Sequence, residues 1–130
     1  VEEQIQPALQ AGYWVLADRF TASTFVYQGI ARGLGPDWAT TINRFATGGL
    51  EPDLTILLDL PPQIALERIQ ARGGGLDRLE ALGLDFHTRV REAYLELAKA
   101  QAQRFLVLPA QSSPESLAQR LWAGVQARFF

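Results

Sequence analysis

Cysteine is absent from the 130 residues, which excludes a disulfide scaffold, a Cys-ligated zinc site and a thiol nucleophile. Methionine is absent too, position 1 included, and the chain opens inside a helix-like stretch running from Val1 to Leu9. We therefore expect a fragment of a longer protein. Lysine occurs once, at Lys99, so eleven of the twelve basic residues are arginine. With a net charge of −2 there is no large basic face, and non-specific nucleic-acid binding is not expected. Apolar runs fall far short of the roughly 20 residues that a membrane-spanning helix needs, so no membrane partner is expected either. No signal peptide opens the chain, which leaves the cytoplasm as the expected compartment. What is present is ordinary for a globular domain or part of one: 48% apolar and 20% charged residues. A chain of this length can bury about two-thirds of its unfolded surface.

Three short apolar runs punctuate the sequence: Tyr13-Trp14-Val15-Leu16-Ala17, Leu54-Thr55-Ile56-Leu57-Leu58 and Phe105-Leu106-Val107-Leu108. Each is continuous rather than alternating, as in strands buried on both faces. Helical patterns lie between and after them. Phe25, Gly29 and Ile30 share one face; Leu79, Leu82, Phe86, Val90, Tyr94 and Leu97 recur at three and four, as do Leu117, Leu121, Val125 and Phe129. Ser113 is the predicted N-cap of the last helix, with Pro114 at its first position. Strands alternating with helices predict an α/β fold built on a parallel sheet. Three strands make a thin sheet, again as expected of an incomplete domain. No repeat, low-complexity tract or domain boundary is visible, and Gly73-Gly74-Gly75 is the one flexible point.

Ligands of open α/β sheets bind beyond the carboxyl ends of the strands, where Asp18 and Asp59 stand. Arg19 follows Asp18 directly. A guanidinium there suits bidentate phosphate recognition, and the carboxylate suits Mg²⁺ or a hydroxyl; a salt bridge capping the strand end is the plainer reading. Downstream, Ser23, Thr24, Tyr27 and Gln28 fall close together, with Thr24, Tyr27 and Gln28 at i, i+3, i+4. Hydroxyl, phenol and amide groups together could read a base edge and a sugar, or form the wet side of an amphipathic helix. Arg68, Arg72, Arg78, Arg89 and Arg91 form a cluster whose first three members flank the triple glycine. On a hinged loop they could close over phosphates; in an arginine-rich chain they could equally be a solvated surface. His87, the only histidine, has no identifiable catalytic partner and reads as a surface or helix-packing residue. Trp14, Trp38 and Trp122 are expected to contribute packing area.

Taken in order, these pieces resemble the bacterial-type thymidylate kinase family. The run from Asp18 through Gln28 to Gly29 is similar to that family's Asp-Arg-aromatic signature, and Glu51 to Asp59 resembles its Pro-Asp-Leu-Thr strand. Ala65 to Arg68, Arg72-Gly73, Leu76 to Glu80, Phe86, Arg89 to Arg91 and Tyr94 to Ala98 resemble its lid and the helix after it. The likeness runs from Pro7 to about Pro109. It implies an incomplete three-layer, P-loop-kinase-like parallel sheet comprising the carboxyl-terminal two-thirds of the domain, with residues 1–130 as one partial domain and a lid at about 72–82. It further implies transfer of the γ-phosphoryl of ATP, with Mg²⁺, to dTMP in the course of dTTP synthesis, by a homodimer.

By the same resemblance, Arg19 holds the acceptor phosphate and Asp18 places Mg²⁺ or the attacking oxygen. Ser23 belongs to the substrate-binding set, Thr24 and Gln28 lie near thymine, and Tyr27 sits beside the deoxyribose, where bulk disfavours a 2′-hydroxyl. Arg68, Arg72 and Arg78 belong to the lid over ATP, with Arg72 and Arg78 also counted as catalytic. Phe20 stands where many relatives have tyrosine or histidine. A glycine-rich loop of the form G-x-x-x-x-G-K-[ST] is not in this sequence: Lys99 has no preceding glycines. Because phosphoryl transfer rests on positioning and charge neutralisation, the 130 residues alone are expected to be inactive. Two other readings are another nucleoside monophosphate or deoxynucleoside kinase, and a non-catalytic nucleotide-binding or interaction module.

Overall fold

A computed structural model describes residues 1–73 and 80–130. These form two compact units, Val1–Glu51 and Pro52–Phe130. The division follows Gly48 and Gly49, both in left-handed backbone (φ 63° and 83°), where the chain leaves a helix.

The first unit is helical. It contains α1 (Ile5–Gln10), α2 (Thr21–Thr24), a π-helical segment (Phe25–Ala31) continuous with α2, and α3 (Pro36–Thr47). Proline at the first turn and Gly48 at the C-cap delimit α3, both positions where helix geometry favours those residues. Its core is made of small side chains: Val26 and Ala39 are fully buried, Ala31 and Thr47 nearly so. Small residues let the π segment and α3 approach closely. A Cβ added at Gly29 would lie 2.8 Å from the Ala39 Cβ and 3.2 Å from the Gly35 carbonyl oxygen. Asn43 ties α3 to α2 by donating from Nδ2 to the Thr21 carbonyl at 2.8 Å.

Two expectations fail in this unit. Residues 13–17 form no strand: among the described residues they join no ladder, and the Tyr13 amide donates instead to the Ala8 carbonyl at 3.0 Å. Tyr13, Trp14 and Leu16 are correspondingly exposed, at 69%, 62% and 92%. An apolar run encodes the tendency to be buried, whereas a ladder also needs a partner strand. The shared face of Phe25, Gly29 and Ile30 also dissolves. Gly29 is buried against α3 while Ile30 is 41% exposed, because winding at i→i+5 spaces residues differently from an α-helix.

The second unit is α/β. Strands β1 (Thr55–Asp59) and β2 (Phe105–Pro109) pair in parallel, with Thr55 opposite Phe105 and Asp59 opposite Pro109. Between them run α4 (Pro62–Arg72), a 3₁₀ turn (Glu80–Leu82), α5 (Leu84–Ala100) and a second 3₁₀ turn (Ala102–Arg104); α6 (Pro114–Phe129) follows β2. The parallel order is the expected one, with Pro52 and Pro61 on either side of β1 and Pro109 as the last residue of β2. Phe86, Val90, Ala93 and Ala98 of α5 join Phe105, Leu108 and Val125 in the core. The strands are less buried than continuous apolar runs suggest, since Leu58 is 48% and Val107 40% exposed.

Ser113 caps α6 as expected: its Oγ accepts from the Ser116 amide at 3.2 Å, with Pro114 in the first turn. Arg128, in the last turn of α6, donates from Nη2 to the Phe105 carbonyl at 3.0 Å and so fastens the helix to β2. Leu82 falls in the 3₁₀ turn, not in α5, which begins after Gly83 (φ 85°). Leu79 lies outside the described residues. Trp14, Trp38 and Trp122 contribute less packing than expected, each keeping 43% or more of its surface exposed. No helix among the described residues is long and apolar enough to cross a membrane.

Candidate functional site

Asp18 and Arg19 stand between the irregular residues 13–17 and the start of α2. Arg19 has φ 69°, the only non-glycine residue in left-handed backbone among those described. An L-residue there costs about 1–2 kcal/mol, and such positions concentrate at ligand clamps and active sites. The side chain is exposed, and its guanidinium carbon lies 5.6 Å from the centroid of the Tyr27 ring, a cation–π arrangement. Among the described residues no ion pair joins Arg19 to Asp18, whose carboxylate is likewise exposed. The salt-bridge cap is therefore not formed, and the positive fork keeps its capacity for an external anion.

Tyr27 sits in the π-helical segment, where its carbonyl accepts from the Arg32 amide at 3.2 Å, five residues on. Wide turns of this kind are rare and occur frequently at functional sites. Ser23, Thr24, Tyr27 and Gln28 are all partly buried, and α2 opens with the Ser23 amide donating to the Phe20 carbonyl at 3.0 Å. Of the predicted site residues, the structure thus brings Arg19 and Tyr27 together on a short helical platform that also carries Ser23, Thr24 and Gln28. No group of three or more His, Cys, Asp or Glu residues suited to a metal occurs among the described residues. Asp18 can accordingly offer one carboxylate oxygen ligand, a set that suits a Mg²⁺ ion whose remaining ligands are water and phosphate.

In the second unit, Arg68 and Arg72 are exposed on α4, Arg72 in its last turn, where a cation complements the helix dipole. Arg78 and most of the expected lid lie outside the described residues. Asp59, the other carboxylate at a strand end, is engaged by Arg91 of α5. Arg91 Nε donates to Oδ1 at 2.7 Å and Nη2 to Oδ2 at 2.9 Å. These hydrogen bonds hold the Asp59 carboxyl below its ordinary range against the opposing effect of partial burial, and the charge of Arg91 adds to the lowering. The Arg91 guanidinium is raised by the same contact. Nothing local in the sequence marks this pair, whose members are 32 residues apart. The pair borders a cavity of about 170 Å³ between β1, α4 and α5, lined by apolar groups such as Leu57, Leu66, Ile69 and Val90. His87 also lines it and packs edge-on against the Phe86 ring at 5.7 Å, the packing role expected for it.

The ion pair makes stability depend on pH in a defined direction. Since the folded-state pKa of Asp59 is depressed, its contribution is present above the unfolded value, about 3.9. That contribution fades as pH falls through the lower folded value. Asp59→Asn is expected to cost about 1–2 kcal/mol at pH 7, between the values for exposed and buried pairs. The variant should lose less further stability than the wild type between pH 5 and pH 2. Urea titrations of both proteins at the three pH values check this; equal acid sensitivity would refute it.

The thymidylate kinase family model matches residues 1–121. The chain belongs to the thymidylate kinase family. Its sequence is 48% identical over 128 residues to a thymidylate kinase of Synechococcus sp. (strain JA-2-3B'a(2-13)), covering 98% of this chain and 60% of that protein. It is 48% identical over 128 residues to one from Deinococcus radiodurans, covering 98% and 62%. With one from Magnetococcus marinus it shares 41% over 130 residues, covering 100% and 62%. The chain thus spans about 60% of the length of these thymidylate kinases. Family membership accounts for the incomplete α/β architecture: a small parallel sheet with helices, as part of a P-loop-kinase-like domain.

Proposed function

We propose that these residues form the acceptor side of a dTMP kinase, and that the complete protein transfers the γ-phosphoryl group of ATP to dTMP. In that reaction an oxygen of the dTMP phosphate bonds to the γ-phosphorus, the bond from that phosphorus to the β,γ-bridging oxygen breaks, and ADP and dTDP are the products. The observation that carries the reading is Arg19: a left-handed backbone presents an exposed guanidinium, unpaired with Asp18 and seated on the Tyr27 ring. Such a fork matches the bidentate geometry of a phosphate. Arg19 would grip the acceptor phosphate and hold its attacking oxygen in line. Thr24 and Gln28 would face thymine, Ser23 would belong to the same substrate-binding set, and Tyr27 would lie against the deoxyribose. Asp18 would help hold Mg²⁺, which when bound neutralises charge on the phosphates. Arg68, Arg72 and Arg78 would belong to a lid at about 72–82 over ATP, Arg72 and Arg78 offsetting charge on the transferring group.

Residues 1–130 would then be one partial kinase domain of a cytoplasmic homodimer serving dTTP synthesis. The test is a product assay on the complete protein with ATP, Mg²⁺ and, in separate reactions, dTMP, dUMP, dCMP, AMP and thymidine. Formation of dTDP well ahead of every other product is expected. Preference for a different acceptor would replace the reading by another nucleotide kinase, and absence of any phosphorylated product would favour a binding module.

A further inference from the structure

We propose that Tyr27 is a positioning residue for the acceptor phosphate: its ring holds the Arg19 guanidinium in the orientation that receives the anion. The inference rests on the proposed function and adds to it a role that Tyr27 performs through a neighbour, distinct from contact with the sugar. Three observations converge on it. The guanidinium carbon lies 5.6 Å from the Tyr27 centroid, inside the range in which an aromatic face attracts a cation. Arg19 is exposed and, among the described residues, in no ion pair, so none of their carboxylates fixes its long, flexible side chain. Its backbone is strained at φ 69°, which aims the side chain from a position few arginines adopt.

Tyr27 is itself well anchored. It lies in the π-helical segment, whose Gly29 packs against Ala39 at a distance that leaves no room for a Cβ, and its carbonyl is engaged by Arg32. The backbone that carries the ring is therefore held in place, which lets the ring order the arginine before the anion arrives. Stacking on a ring also leaves the N–H donors at the guanidinium edge available, whereas a carboxylate partner would occupy them. An arginine pre-ordered by a neutral surface keeps both its full charge and its fork for phosphate.

The role separates experimentally from a sugar contact, because thymidine carries the same base and sugar as dTMP but no phosphate. Dissociation constants for both are measured by calorimetry on the complete protein, for the wild type, Tyr27→Phe, Tyr27→Leu and a variant with pentafluorophenylalanine at position 27. The last nearly preserves ring shape while removing the electron-rich face. The ratio of thymidine to dTMP Kd is expected to shrink by about 2- to 5-fold in the leucine and pentafluorophenylalanine proteins, the range of an exposed cation–π contact. It should be retained in Tyr27→Phe and be insensitive to the same changes once Arg19 is alanine. If the leucine protein does not fold, the fluorinated ring decides alone. An unchanged ratio with the fluorinated ring, or an equal effect in the Arg19→Ala background, overturns the proposal. A wild-type protein that binds dTMP no more tightly than thymidine overturns the assignment of the phosphate site itself, a separate and recognisable failure.

Discussion

Replacing Arg19 by alanine in the complete protein is expected to lower kcat/KM for dTMP by about 10²- to 10³-fold, the scale on which one preorganised charge-stabilising donor contributes to a transition state. The argument begins with the backbone. An arginine at φ 69° carries a local cost, and no ion pair with Asp18 offsets it in the described structure. The side chain meets the face of Tyr27 and presents its charge outward. Arg19→Lys keeps the charge but loses the planar fork and should fall between the alanine variant and the wild type. Arg19→Gly gives the most discriminating result. Glycine adopts left-handed backbone without penalty, so this variant should be as inactive as alanine while unfolding at a temperature no lower than the wild type. A residue kept for stability would lose activity and stability together. Steady-state kinetics paired with thermal melts read both quantities, and a glycine variant that retained activity would remove Arg19 from the site.

The second large effect is structural and has a sign opposite to the usual one. Glycine to alanine inside a helix ordinarily gains up to about 1 kcal/mol. At Gly29 the change should instead cost about 2–3 kcal/mol, at the upper end for overpacking. The added Cβ would lie 2.8 Å from the Ala39 Cβ and 3.2 Å from the Gly35 carbonyl oxygen. Both are attached to backbone, so neither can swing aside, and the optimum for carbon–carbon contact is about 3.5–4.0 Å. The π segment and α3 would have to separate. Activity should fall with stability, because Tyr27 and Gln28 precede Gly29 directly. Ala39→Gly in the same protein should restore part of the loss, giving a coupling that separately measured effects do not sum to. Urea titration of the two single variants and the double variant checks this; a Gly29→Ala protein as stable as the wild type would mean that the two segments are less tightly apposed.

Sequence and structure agree where information is local. The prolines around Thr55–Asp59 and at Pro109 bound the two apolar runs that pair, and the Ser113-Pro114 dipeptide states the start of α6 outright. The family blocks around Asp18-Arg19 and Glu51-Pro52-Asp53 were legible for the same reason, since order and spacing carry them. Residues 13–17 were not, because pairing depends on a partner that the run itself does not specify. The π winding is not legible because one extra residue in a turn leaves no mark on composition, and Phe25, Gly29 and Ile30 fit the face of an ordinary helix equally well. Asp59 could be placed at a strand end, but not beside Arg91, since a helix face borders many positions and only packing chooses among them. The left-handed backbone of Arg19 was invisible for a related reason: arginine disfavours that conformation, so residue type argues against it.

The wide turn between Phe25 and Ala31 sets a length constraint on the platform beneath Arg19. A π turn accommodates one residue more than an α turn, so removing a single residue there would let the segment relax into regular winding with better hydrogen bonding. The gain would come at the expense of the angles inside the segment, because each residue of an α turn rotates the chain further than each residue of the wider π turn, so neighbouring side chains within it would swing relative to one another. Tyr27 and Gly29 lie within that one segment, and the ring could then no longer meet the guanidinium while the glycine faced α3. Helix regularity and binding geometry are in opposition at this point in the chain, and the irregular form is what lets a single short segment serve two neighbours at once.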